Sequence, residues 1–301
     1  DLFINLLLLS KSNLNYTVVM SQIHYRKDTE LPWRRIKKGK NFAFTNEKGK
    51  RIGKSARSRV LGLVIPPGWH DVVISADPMD YVQAIGMDAR GRKQYIYHPE
   101  WIKKNQEKKF DQMVAFGERL PVLRKVVRAH MHEVSLTKDR VIATVIWLLE
   151  HTFIRVGNET YAKENQSYGL TTMREKHIEV KGNTLTFSFE GKSGVYHELD
   201  VTNPMVAKTI KKCLDLPGYQ IFQYLDEDGR KQAVNSENVN DYLQVHTGMD
   251  FSAKDFRTWG GSVIAGDSFY KKGGAKDESE LKNNISEVVA VVSSHLGNTK
   301  S

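Results

Sequence analysis

Four short stretches of this 301-residue chain carry side chains suited to work on an anion. Arg155 lies in FIRVGNETYAKENQSYGLTT (153–172), at the end of an apolar helical run and two residues before Gly157, where the chain can present a guanidinium into a cleft. Lys192 stands at the tip of a tight turn, FEGKSG (189–194). Arg257 belongs to KDFRTWG (254–260), which reads as the start of a helix. Asn298 follows the apolar helical stretch ISEVVAVVSSHL in SSHLGNT (293–299), with Gly297 as the helix stop. A guanidinium stays ionised and donates through a planar fork that matches two oxygens of an oxyanion. An ammonium carries a transferable proton, and a carboxamide adds a neutral donor. Alone, each stretch is more readily given a plain structural role: a capping arginine, a solvated lysine, a helix-surface arginine, a helix C-cap.

The elements that must hold these residues fall into two textures. Up to about residue 98 the pattern is strand and turn. NFAFTNEKGKRI (41–52) reads as a strand, a turn at Glu47–Gly49 and a second strand, and Asp71–Ser75 as another strand after the break at Pro66-Pro67-Gly68. QAIGMD and KQYIYH flank a turn at Asp88–Gly91. Beyond Pro99 the period becomes helical: WIKKNQEKKFDQMVAFGERL carries Phe110, Met113, Val114 and Phe116 at helical spacing, and further helices are predicted over 123–132 and 139–153. HIEVKGNTLTFSFEGKSGVYHELD (177–200) interrupts the helices as a β insertion with turns at 181–183 and 190–194; helices resume to about Leu243 and again beyond Lys254. The fold class is therefore α+β. A small, mostly antiparallel β-rich domain over 20–100 precedes a mainly α-helical domain over 101–301 with an inserted β-hairpin sheet, the boundary lying near 98–106.

Composition narrows the function. The net charge is +10, and the stretch Arg26–Arg59 alone holds 13 Lys/Arg against three acids, so it supplies the whole surplus. So concentrated a basic region suits a polyanion, nucleic acid first, or else a solvated face. The single cysteine, Cys213, excludes an internal disulfide framework and a cysteine zinc cluster and fits a reducing compartment. No clustered carboxylates that would hold Mg²⁺ are evident. Leu2–Leu9 is too short to span a bilayer and shows no small-residue cleavage site, and the first methionine is Met20. Residues 1–19 are expected to be a non-native or disordered leader.

Read together and in order, the four stretches resemble the catalytic domain of type IB DNA topoisomerases, and the bacterial and poxvirus-like members most of all. The likeness runs from roughly Ile65 to Thr299. DARGRKQYIYH is similar to the DNA-contacting hairpin of the family's N-terminal domain, RVGNETYAKENQSYGLTTMREKHIEV to the segment with its first catalytic arginine, and FEGKSGVYHEL to its lysine hairpin. The resemblance implies catalytic roles for Arg155 and Arg257, general-acid work for Lys192, and a phosphate donor in Asn298, where poxvirus-type members have histidine. It implies DNA contacts from Arg92, Gln94, Tyr95, Tyr97 and Tyr161. It also implies ATP-independent relaxation of supercoiled double-stranded DNA through a 3′-phosphotyrosyl link, no metal or small-molecule cofactor, a monomer, no membrane association, and a cytoplasmic, nucleoid-associated setting.

The family's nucleophilic tyrosine falls about nine residues beyond the position of Asn298 by that resemblance, which here is past Ser301. Tyr270 lies between Arg257 and Asn298, the wrong place in the pattern. The chain as given is thus expected to bind DNA without forming the covalent link. Two other readings remain at this point: a tyrosine recombinase, though that class carries H-x-x-R where this chain has Lys254-x-x-Arg257, and a non-catalytic DNA-binding relic.

Overall fold

The computed structural model describes residues 23–25, 30–39 and 41–298; the expected leader, 1–19, lies outside them. Contacts divide the chain into two compact units, residues 1–110 and 111–301.

The first unit is built on a five-stranded antiparallel sheet, β1 (Trp33–Lys38), β2 (Asn41–Thr45), β3 (His70–Ile74), β4 (Val82–Met87) and β5 (Lys93–Tyr97), in the order β2-β1-β3-β4-β5. β4 and β5 form the hairpin expected about Asp88–Gly91. One expectation fails here. The second strand of 41–52 is only an isolated bridge, Thr45 to Arg51. β2 pairs instead with β1, whose adjacent basic pairs, Arg34-Arg35 and Lys37-Lys38, hide the two-residue period of a strand. A helix, α1 (Lys54–Gly62), follows; its few apolar residues leave little helical stripe, and Val60 is its buried residue.

Arg59 from α1 reaches under the sheet, where it donates to Gln83 Oε1 at 2.6 Å and to the Ser75 carbonyl. Burial pulls its pKa down, and Asp77 and Asp80 oppose that pull. Those two carboxylates and His24 bring ligand-type atoms within 4.8 Å of one another. Two carboxylates thus stand together where the sequence showed no cluster that would hold Mg²⁺: Asp77 and Asp80 share one turn, and the fold brings His24 to it from 53 residues away.

The second unit is helical. α2 (Pro99–Met131), within which the division between the units falls, is one continuous helix and not two. Pro121 inside it costs on the order of 3 kcal/mol. That cost is offset by the buried stripe Met113, Phe116, Leu120, Leu123, Val127 and Met131. Phe110 and Val114, which share the helical spacing with Met113 and Phe116, are exposed. α3 (Lys138–Thr152) is buried nearly all round, as its apolar run predicts. There follow α4 (Glu159–Asn165), a three-stranded antiparallel sheet of β6 (Ile178–Lys181), β7 (Thr184–Glu190) and β8 (Tyr196–Thr202), then α5 (Pro204–Leu214). A short hairpin, β9 (Gln223–Leu225) and β10 (Lys231–Ala233), was illegible because its strands have three residues each. The chain then runs through α6 (Ser236–Thr247), α7 (Ala253–Lys272) and α8 (Glu278–His295). Around Phe116 the rings of Phe251 and Phe256 pack edge-on at 5.1 Å, which anchors the start of α7.

Candidate active site

Three of the four candidate residues sit in a turn or just beyond a helix end, while Arg257 lies within α7, and the local sequence explains why. α3 ends at Phe153 in the left-handed conformation, so the chain leaves the helix abruptly. The next residues are stitched to the turn at 170–172: Leu170 N–H donates to the Arg155 carbonyl at 2.9 Å and Thr171 N–H to the Val156 carbonyl at 2.7 Å. Gly169 permits this closeness; a Cβ there would lie 2.4 Å from the Arg155 carbonyl oxygen. Arg155 is thereby fixed at its backbone while its guanidinium projects.

Arg257 enters from the second turn of α7. It donates to the Phe153 carbonyl, to the Leu296 carbonyl at 2.9 Å and to Asn298 Oδ1 at 2.9 Å. One guanidinium thus ties the end of α3 to the end of α8. Arg155 Nη2 donates to the same Asn298 Oδ1, also at 2.9 Å. The amide oxygen accepts from both arginines, which leaves the amide nitrogen as an outward donor.

Asn298 is placed by a helix C-cap. Gly297 takes positive φ (57°), its N–H bonds the Ser294 carbonyl, and Asn298 N–H bonds the Ser293 carbonyl at 2.8 Å. This is the Schellman arrangement, so the plain structural reading of LGN holds together with its presence in the site. Lys192 lies in the β7–β8 turn, a single 3-10 turn in which Ser193 also has positive φ (67°).

Arg155, Lys192 and Arg257 line one cavity of about 170 Å³, with the Ser294–Gly297 backbone, Tyr168 and His197. The same three line an adjoining hollow of about 560 Å³ that holds Tyr161, Tyr168 and Lys254. Burial holds the Arg257 guanidinium down to about 10, with the Arg155 charge acting the same way; burial also lowers Arg155. Two adjacent, half-buried cations without a carboxylate between them make a site that waits for an anion. His197 is lowered as well, by burial first and then by Arg155 and Arg257. It was missed in the sequence, where nothing distinguishes it from other strand residues. Tyr270 is 88% exposed and is not among the residues lining either cavity.

The candidates of the first unit form a separate group. Arg92 grips Asp88 through Nε at 2.8 Å and Nη2 at 2.8 Å, and Gln94 Nε2 donates to the same carboxylate at 3.0 Å. The backbone N–H and the side chain of Arg92 hold the Asp88 carboxyl down to about 2. Tyr95 and Tyr97 stand on the other face of β5, their rings parallel at 5.7 Å. The strand therefore offers two faces, one of clamped polar groups and one aromatic.

Comparison with known proteins accords with this arrangement. Residues 98–301 match the family model described as eukaryotic DNA topoisomerase I, catalytic core, and residues 41–88 that of bacterial DNA topoisomerase IB, N-terminal domain. The chain is 34% identical to DNA topoisomerase 1B of Acanthamoeba polyphaga mimivirus, over 80% of its own length and 74% of that protein. Its identity to DNA topoisomerase 1B of vaccinia virus (strain Copenhagen) is 28%, over 39% of this chain and 37% of the viral protein. A solved complex of the XerH site-specific recombinase with difH substrate overlaps 61% of this chain and 46% of its own, at 15% identity and a TM-score of 0.36, too slight a likeness to carry an inference. The chain belongs to the type IB DNA topoisomerase family. Among the described residues, no helix is long and apolar enough to cross a membrane.

Proposed function

We propose that the protein relaxes supercoiled double-stranded DNA without ATP, by breaking and resealing one strand at the cavity between Arg155, Lys192, Arg257 and Asn298. The observation that carries this reading is the convergence of two guanidiniums on one carboxamide, beside a turn-borne lysine.

The scissile phosphate takes the place for which the two arginines are prepared. A tyrosine Oη, expected downstream of Ser301, attacks phosphorus and loses its proton to solvent. The bond from phosphorus to the 5′ oxygen breaks, and that oxygen takes a proton from the Lys192 ammonium. A 3′-phosphotyrosyl link and a free 5′-hydroxyl result. The reverse steps reseal the strand after it has swivelled, so the link conserves the bond energy and no ATP is required. Negative charge on the non-bridging oxygens is met by Arg155, Arg257 and the Asn298 amide nitrogen; each preorganised donor of this kind contributes about 3 kcal/mol. Proton donation by Lys192 adds on the order of 10²- to 10⁴-fold. Arg92, Gln94, Tyr95, Tyr97 and Tyr161 contact the duplex, the charged groups fixing position on phosphates, and the protein acts as a monomer.

The test is plasmid relaxation by the full-length enzyme, without ATP and with EDTA present. Relaxation that persists, with an SDS-trapped protein adduct on the 3′ end of the cut strand, supports the proposal. An ATP requirement, or an adduct on the 5′ end, overturns it.

A further inference from the structure

The chemistry above leaves His197, one of the polar side chains that line the cavity, without a role. His197 lies on β8 opposite Phe189, and the two rings stack 5.1 Å apart at 16°. Its two edges meet backbone. A Cβ on Gly191 would lie 2.7 Å from His197 Cδ2 and Nε2, and a Cβ on Gly297 would lie 2.3 Å from Cε1 and 2.7 Å from Nδ1. Gly191 immediately precedes Lys192, and Gly297 immediately precedes Asn298. The imidazole is therefore a wedge in van der Waals contact with the two turns that carry the cavity's amine and its carboxamide. Among the described residues the ring nitrogens have no hydrogen-bond partner, so packing alone seats the ring. The Lys192 ammonium likewise has no partner among the described residues. Its aim depends on the turn, which is closed by Gly191 N–H to the Val195 carbonyl at 2.8 Å and Gly194 N–H to the Gly191 carbonyl at 3.1 Å.

We propose that His197 is a positioning residue for strand cleavage: a rigid spacer whose ring fixes the gap between the Lys192 turn and the Asn298 cap and so aims the ammonium at the departing 5′ oxygen. The inference rests on the catalytic reading of the cavity. A flat ring of this size is what the gap requires. Removal of the ring lets the lysine turn shift, and a misplacement of about 1 Å costs on the order of 100-fold in rate.

The test is single-turnover cleavage by the full-length enzyme of a duplex oligonucleotide with one cleavage site. The scissile 5′ bridging atom is either oxygen or sulfur; sulfur leaves without needing a proton. On the oxygen substrate His197→Ala is expected to cut about 10- to 100-fold slower, with DNA affinity changed less than about 3-fold. His197→Phe keeps a flat ring and is expected within about 3-fold of wild type. The sulfur substrate is expected to bring His197→Ala back to within about 3-fold of wild type.

A second route avoids the truncation altogether. Gly191→Ala drives a Cβ into the ring and should be slow in the wild-type background. It should add no further defect when His197 is already alanine, because the ring it strikes is gone. Normal cleavage by His197→Ala, an equally slow His197→Phe, a defect in His197→Ala that sulfur leaves untouched, or Gly191→Ala effects that simply add would each overturn the inference. Lys192→Ala, measured in parallel, separates the two readings. If it cuts the oxygen substrate normally, the catalytic reading has failed; if it is slow while His197→Ala is normal, only the spacer has.

Discussion

Asn298 offers the most incisive perturbation of the site. Its side-chain oxygen accepts from Arg155 and Arg257 at 2.9 Å each, while its backbone belongs to an exposed helix cap whose hydrogen bonds do not involve the side chain. Asn298→Ala should therefore leave the fold intact. It removes one donor to the transition state and frees two guanidiniums that the amide had aligned. Loss of a single preorganised donor corresponds to about 2.7–4 kcal/mol, or about 10²- to 10³-fold in rate. Asn298→Asp keeps the acceptor that aligns the arginines but replaces the donor by a second negative charge. At a separation of about 4 Å and an effective dielectric of about 20, its repulsion from the phosphate is on the order of 4 kcal/mol. The expected order of single-turnover cleavage rates is wild type, then alanine, then aspartate, with duplex affinity at moderate salt changed less than about 3-fold for the alanine variant. If aspartate cuts as fast as wild type, the amide nitrogen is not a donor to the phosphate and the argument from its orientation is wrong.

Further outcomes follow from other parts of the chain. Arg140 is 1% exposed and donates to the Glu133 carbonyl at 2.7 Å, the Val134 carbonyl at 3.0 Å and Thr209 Oγ1 at 3.0 Å, so Arg140→Met should cost about 2–4 kcal/mol in urea unfolding without slowing cleavage by folded molecules. Gly169→Ala, whose Cβ would meet the Arg155 carbonyl at 2.4 Å, should lose about 1–3 kcal/mol of stability and also slow cleavage, because the backbone it displaces carries the first arginine. His197 and His177 are both held below the ordinary histidine value, in each case by burial first, with Arg155 and Arg257 acting on His197 and Lys176 and Arg174 on His177. The unfolded chain therefore takes up these protons first as the pH falls. Their stabilising effect is complete above about pH 6.5 and is lost through the lowered folded values. Thermal melts should fall between pH 7.5 and 5.5, and less steeply for His197→Phe; equal slopes would contradict the assignment. Duplex affinity should drop steeply with salt, since phosphate contacts release counterions; a flat response would contradict the expected Lys and Arg contacts.

The legible parts of the chain were those where local pattern and tertiary role agree. The β4–β5 hairpin, the sheet insertion with its Lys192 turn, and α3 all follow from turn residues and apolar period at the expected positions. The four candidate residues were picked out by the order of their motifs, and the C-cap at Gly297 shows why residue type alone was insufficient: the same atoms close a helix and present Asn298. What escaped was set by tertiary context. β1 has the composition of a basic loop, α2 runs through Pro121 because its buried stripe outweighs one lost hydrogen bond, and the β9–β10 strands are too short to show a period. His197 could not be singled out, since its significance lies in packing between two glycines, Gly191 across the β7–β8 turn and Gly297 just beyond the far end of α8.

The proposed chemistry requires Arg155, Lys192, Arg257 and Asn298 to surround the phosphorus that reacts. A crystal structure of the protein on duplex DNA tests it directly. One phosphate is expected whose non-bridging oxygens lie within about 3 Å of the Arg155 and Arg257 guanidinium nitrogens and of Asn298 Nδ2, with Lys192 Nζ beside its 5′ oxygen. A complex in which the nearest phosphate bypasses this cavity and the arginines remain on the amide oxygen alone would contradict it.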